Sequence, residues 1–164
     1  MTPGQIAQVI KTALLARVWT GGTEKVFGYN AVKITNNPDR QAFMTLPTPF
    51  ALIVIGDFQS DPVHGEEPDY LIGQVVVKVG VSGQDSIGEA VMVGSARQAL
   101  TSKGAGLEDI GVELMATIQF LNKSLGVSIQ FMAKGNTQAV PEVDGHYRAT
   151  KDYAFEVVAS AALE

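Results

Sequence analysis

In residues 74–82, QVVVKVGVS, every second position is valine: Val75, Val77, Val79 and Val81 fall on one side, with Val76, Lys78, Gly80 and Ser82 on the other. Successive side chains of a strand point to opposite faces, so this alternation predicts a half-buried strand. Residues 127–134 repeat it, with Val127, Ile129, Phe131 and Ala133 set against Ser128, Gln130, Met132 and Lys134. In 153–160, Tyr153, Phe155, Val157 and Ala159 share a side. Residues 50–55, FALIVI, form instead a continuous apolar run of strand length, kept out of a helix by Pro47 and Pro49. Such a run is expected to be buried on both faces, or covered on its second face by a neighbouring subunit. Residues 26–34 read as extended and TNNPDR at 35–40 as a turn.

Two stretches follow helical spacing. Thr2 is placed to cap a first helix, Pro3 suits its first position, and Ile6, Val9, Ile10, Ala13 and Leu14 make one stripe ending near Arg17. Leu107, Ile110, Leu114, Ile118 and Leu121 recur at similar spacing until Gly126, predicting a second long helix. Between them, Ser86 and Glu89 have capping-box spacing, which points to a third helix weakened by Gly88 and Gly94. The fold class that follows is α+β: a single domain over 1–164, with a twisted antiparallel sheet and two or three helices packed on one face. Two strand-to-strand connections, 56–70 and 135–149, are far longer than an ordinary hairpin loop and are therefore candidates for function.

Composition adds an expectation of self-association. Of 164 residues, 46% are apolar and only 18% charged, more apolar surface than one small core is expected to absorb. The net charge of −5 is uneven: residues 1–50 carry +3, 51–100 carry −5 and 101–164 carry −3. No cationic stripe appears, so sequence-specific nucleic-acid binding is not expected. Cysteine is absent, which removes disulfides, thiolate metal sites and cysteine nucleophiles. The first twenty residues lack the pattern of a signal peptide and there is no apolar run of membrane-span length, so the chain reads as made in the cytosol without a membrane partner.

The candidate chemistry lies in the two long connections. DFQSDPVHGEEPDY, residues 57–70, sets Asp57, Asp61, His64, Glu66, Glu67 and Asp69 between apolar runs. In or beside the second connection are Lys134, Asp144, His146 and Arg148. Oxygen and nitrogen donors are present in the first, but in no EF-hand, HExxH or facial-triad order. The acids crowd one loop, where a glycosidase pair would face itself across a cleft, and no nucleophile turn accompanies His64 or His146. Lys103-Gly104-Ala105-Gly106 has neither P-loop nor dinucleotide spacing. No metal, cofactor or catalytic set is therefore expected. A solvated hairpin tip is the plain reading of 57–70, and a small metal-dependent or acid/base enzyme using that loop is the alternative. Trp19 reads as a core or subunit-contact side chain.

The amphipathic first helix, LPTPFALIVIGDF, IGEAVMVGSARQAL followed by GAGLEDIGVELMATIQFL, and the closing ATKDYAFEVVAS together resemble tail terminator (tail completion) proteins of long-tailed bacteriophages. The likeness is strongest in KGAGLEDIG and from Asp152 to Phe155. It implies a virion structural protein, assembled in the host cytoplasm, that forms a homo-oligomeric ring of six subunits. The ring would cap the tail tube protein, end tube growth and join the head-tail connector or neck protein, with DNA passing through without sequence-specific contact. It also implies that Asp57 to Asp69 and the residues from Lys134 to Arg148 face a neighbour or the lumen, where negative charge repels phosphate. Another neck or head-closure ring protein is the nearest alternative, and a ligand-binding module a third.

Overall fold

A computed structural model of the chain describes residues 1–36, 45–60, 70–83, 105–125, 128–136, 138–141 and 147–160. The element order is α1 (Pro3–Ala16), β1 (Val32–Thr35), β2 (Phe50–Ser60), β3 (Tyr70–Gly83), α2 (Leu107–Leu125), β4 (Ile129–Lys134), β5 (Gln138–Pro141) and β6 (Tyr147–Ser160). The fold is α+β, with a twisted sheet covered by helices. The expected turn at 35–40 and the helix expected after Ser86 fall on residues 37–40 and 84–104, outside the described residues.

Helix α1 forms for the local reasons its sequence suggests. Thr2 accepts a bond from the Gln5 amide while the Gln5 side chain reaches back to the Thr2 amide, so two orphan donors are satisfied reciprocally. Its stripe, Ile6, Ala7, Ile10 and Leu14, is buried. At the start of α2 the Asp109 carboxylate accepts from the Gly106 amide, the corresponding back-bond. Leu107, Ile110, Leu114, Ile118 and Leu121 are buried against the sheet.

The strand order is β1-β2-β3-β6-β4, with β5 also on β6. Strands β4 and β5 lie end to end along the same edge of β6, the first opposite Tyr153–Val157 and the second opposite Tyr147–Thr150. Six strands therefore fill five lateral positions. The long central ladder is β3 on β6, paired over all fourteen residues from Tyr70↔Ser160 to Gly83↔Tyr147. Val75, Val77 and Val79 are buried toward the helices, as alternation predicts, together with Tyr153, Phe155 and Val157. Beside this ladder Phe50 stands opposite Gly80, where a Cβ would come within 2.3 Å of the ring, so the strands can hold this aromatic only over a glycine.

Three expectations need correction. The sheet is mixed and not antiparallel throughout, because β1 runs parallel to β2. The link between them, residues 36–49, is long enough to return the chain to the same end. The 56–70 connection is shorter than the pattern implies: β2 continues to Ser60 and β3 begins at Tyr70, with a register shift between Ile55 and Phe58. Gly56 and Asp57 belong to that irregularity and not to a loop. The 135–149 connection likewise contains β5 and the first three residues of β6, leaving 135–137 and 142–146 as its links. As expected, Phe50, Ala51, Leu52 and Ile53 are buried on both faces of β2, and Trp19 is buried in the core.

Candidate functional site

Of the ten residues that the sequence singled out, Asp57, Lys134 and Arg148 lie among the described residues. Asp61, His64, Glu66, Glu67, Asp69, Asp144 and His146 lie outside them. The three do not meet. Asp57 is exposed at the β2 irregularity beside Gly73, whereas Arg148 in β6 pairs with Ser82, nine residues further along β3. At the strand rise this separates them by about 30 Å. The two links, 61–69 and 142–146, depart from opposite ends of the β3–β6 ladder, about 40 Å apart by the same rise.

Arg148 holds structure together. Its guanidinium donates to the Leu46 carbonyl at 2.6 Å and lies over the Phe50 ring, 5.7 Å from its centre, fastening the approach to β2 onto β6. Lys134 ends β4 and pairs at 3.2 Å with Glu108 in the first turn of α2. Glu108 also bonds Lys151, which is buried on the helix-covered face. The Lys151 bond, against some loss of hydration and with help from Lys134, holds the Glu108 carboxyl below the usual carboxylate range. Beside them, burial first and then the Glu108 charge push the Tyr153 hydroxyl up to about 12. That hydroxyl lies where a Cβ on Gly111 would be, so α2 approaches β6 closely only because position 111 has no side chain.

Lys134 belongs to a feature that the sequence reading did not single out. Between α2 and β4 runs a groove of about 670 Å³, walled by Val112, Met115 and Ala116 from the helix and by Phe131 and Met132 from the strand, with Tyr153 lining it from β6. The Glu108–Lys134 ion pair closes one end. Toward the other end, the Asn122 carboxamide clips the first residue of β4, accepting from the Ile129 amide and donating to its carbonyl. Phe131 meets Phe155 edge to face, centroids 5.9 Å apart. Among the described residues the groove mouth is apolar and uncovered: Val112 is 66% exposed, and Phe131 and Met132 about half. On the opposite flank of α2, Phe120 is 64% exposed beside a smaller hollow shared with α1.

A signal for this surface is present in the sequence. Val112, Met115 and Ala116 stand at i, i+3 and i+4, a second apolar stripe on α2 beside the one that enters the core. Helix α2 is thus apolar on two sides, one of which has no covering among the described residues. No helix of the described residues is long and apolar enough to cross a membrane. Set against models of known protein families and against curated protein sequences, the chain matches none.

Proposed function

We propose that this protein is a virion structural subunit that caps a phage tail tube as a ring, ends tube growth and offers the joining surface to the head connector, with DNA passing through the ring. The observation that carries this reading is the second apolar stripe of α2 with the adjoining face of β4. Among the described residues it is an apolar surface that nothing covers. Large uncovered apolar patches on small domains mark protein contacts. A ring subunit needs such surfaces on its flanks, and head-to-tail repetition of one contact closes into a ring. The resemblance of the helix and strand pattern to tail terminators supplies the identity of the partners: the tube protein on one side and a connector or neck protein on the other. The β2–β3 connection supports the same reading, because the segment joining Ser60 to Tyr70 carries Asp61, Glu66, Glu67 and Asp69. Facing the lumen, that segment would repel the phosphates of passing DNA.

The test is negative-stain electron microscopy of assembling tail tubes with and without the purified protein. Discrete caps at tube ends and tubes of uniform length are expected. Tubes that keep growing with bare ends would reject the reading. Replacing Asp61, Glu66, Glu67 and Asp69 together by Ser should leave thermal unfolding unchanged and lower infectivity or assembly yield; a bound metal lost together with the fold would instead favour the enzyme alternative.

A further inference from the structure

An exposed aromatic turn lies beside β1, at the opposite edge of the sheet from the groove. Gly28 to Ala31 form a tight turn, the Ala31 amide bonding the Gly28 carbonyl at 3.0 Å, immediately before β1. At the tip of that turn Tyr29 stands 90% exposed, the most exposed of the large apolar side chains among the described residues. An aromatic ring held out on a short hydrogen-bonded turn loses little freedom when it is buried by a partner. Its own groove is out of reach. Strand β1 is one edge of the sheet and β4 the other, four strand spacings or about 19 Å away.

We propose that Tyr29 of one copy seats in the α2–β4 groove of the next, so that copies associate head to tail. This rests on the ring reading and deepens it by naming the lateral contact. Two observations support the match. The groove, at about 670 Å³, takes an aromatic side chain together with part of its turn, and Phe131 and Met115 offer an apolar bed for the ring. Gln119 and the Glu108–Lys134 pair line the groove as polar partners for the phenolic hydroxyl. Knob and groove are different surfaces on opposite edges, so the contact is heterologous and propagates past two copies.

The absence of cysteine allows a clean test with the full chain. Asn30→Cys is combined with Gln119→Cys and, separately, with Val112→Cys; all three positions are exposed, so the variants keep the native fold, which circular dichroism checks. Mild oxidation of concentrated protein should give a ladder of dimers, trimers and larger species from at least one pair, and only dimers from the single variants. Adding Tyr29→Ser to that pair should lower the cross-linked fraction by about tenfold or more, as for loss of a central aromatic anchor. An unchanged ladder, or dimers alone from both pairs, overturns the proposal. Wild-type chain treated with glutaraldehyde separates the two failures. If it cross-links beyond dimers while neither cysteine pair does, the Tyr29 contact is wrong and the ring reading stands. If it too gives only monomer, both fall.

Discussion

The two helices lie on the same sheet, yet they are finished differently. Helix α1 has one buried stripe, Ile6, Ala7, Ile10 and Leu14, and a capping box that closes its start. Helix α2 has an equally buried stripe and, in addition, Val112 and Phe120 held out into solvent. They are joined by a buried clamp: Glu113 of α2 accepts from Arg17 Nε at 2.6 Å, at the end of α1, and from the Thr20 amide at 3.0 Å. Burial raises the cost of the Glu113 charge, but the Thr20 and Arg17 bonds outweigh it, so its carboxyl lies below the usual range. The difference teaches that α1 turns one apolar stripe to the core, whereas α2 serves the fold with one side and, in our account, a neighbour with the other.

Substitutions on the two sides of α2 should therefore separate stability from association. The largest stability loss is expected on the inner side. Leu114→Ala removes a fully buried side chain and should cost about 2–5 kcal/mol in chemical denaturation. Next is the clamp. Glu113→Ala leaves the Thr20 amide and the Arg17 guanidinium without their acceptor, and should cost about 1–3 kcal/mol; Arg17 is partly exposed, so water recovers some of the loss.

The pH dependence sharpens the same comparison. Glu108 and Glu113 both titrate below their ordinary value of 4.5 in the folded chain. A depressed folded pKa contributes stability that is complete above the unfolded value and is lost as the pH falls through the folded one. The urea midpoint should accordingly hold from neutral pH to about pH 5 and then decline, and Glu113→Gln should flatten the decline. A midpoint that rises on acidification would contradict the assigned pairing. The smallest effect on stability is expected on the outer side. Val112→Lys and Phe120→Lys should change unfolding by no more than about 0.5 kcal/mol, because these side chains are already in water.

Much of this arrangement was legible from residue patterns. The alternating valines of β3 and the aromatic-aliphatic side of β6 gave the buried face, because period-two burial leaves no choice of register. Thr2 and Pro3 placed the start of α1 to the residue. Other features could not be read the same way. Gly56 and Asp57 resemble the beginning of a loop, yet the backbone continues through a register shift to Ser60, where polar side chains are tolerated. The parallel pairing of β1 was hidden because a short strand carries no mark of its direction. Asp57 and Arg148 read as loop charges for a related reason, although ladder pairing sets them in strands, far apart along β3. The groove escaped because its walls come from α2 and β4, and only the inner stripe of α2 was counted.

The central claim is that the outer side of α2, with β4, is an intermolecular surface. Sedimentation velocity of the full chain from micromolar to millimolar concentration tests it most directly. The account predicts that the wild-type protein forms species several times 17.4 kDa at the upper end, while Val112→Lys stays at 17.4 kDa with an unchanged melting temperature. A wild-type chain that sediments as a 17.4 kDa monomer throughout, indistinguishable from the variant, would contradict it.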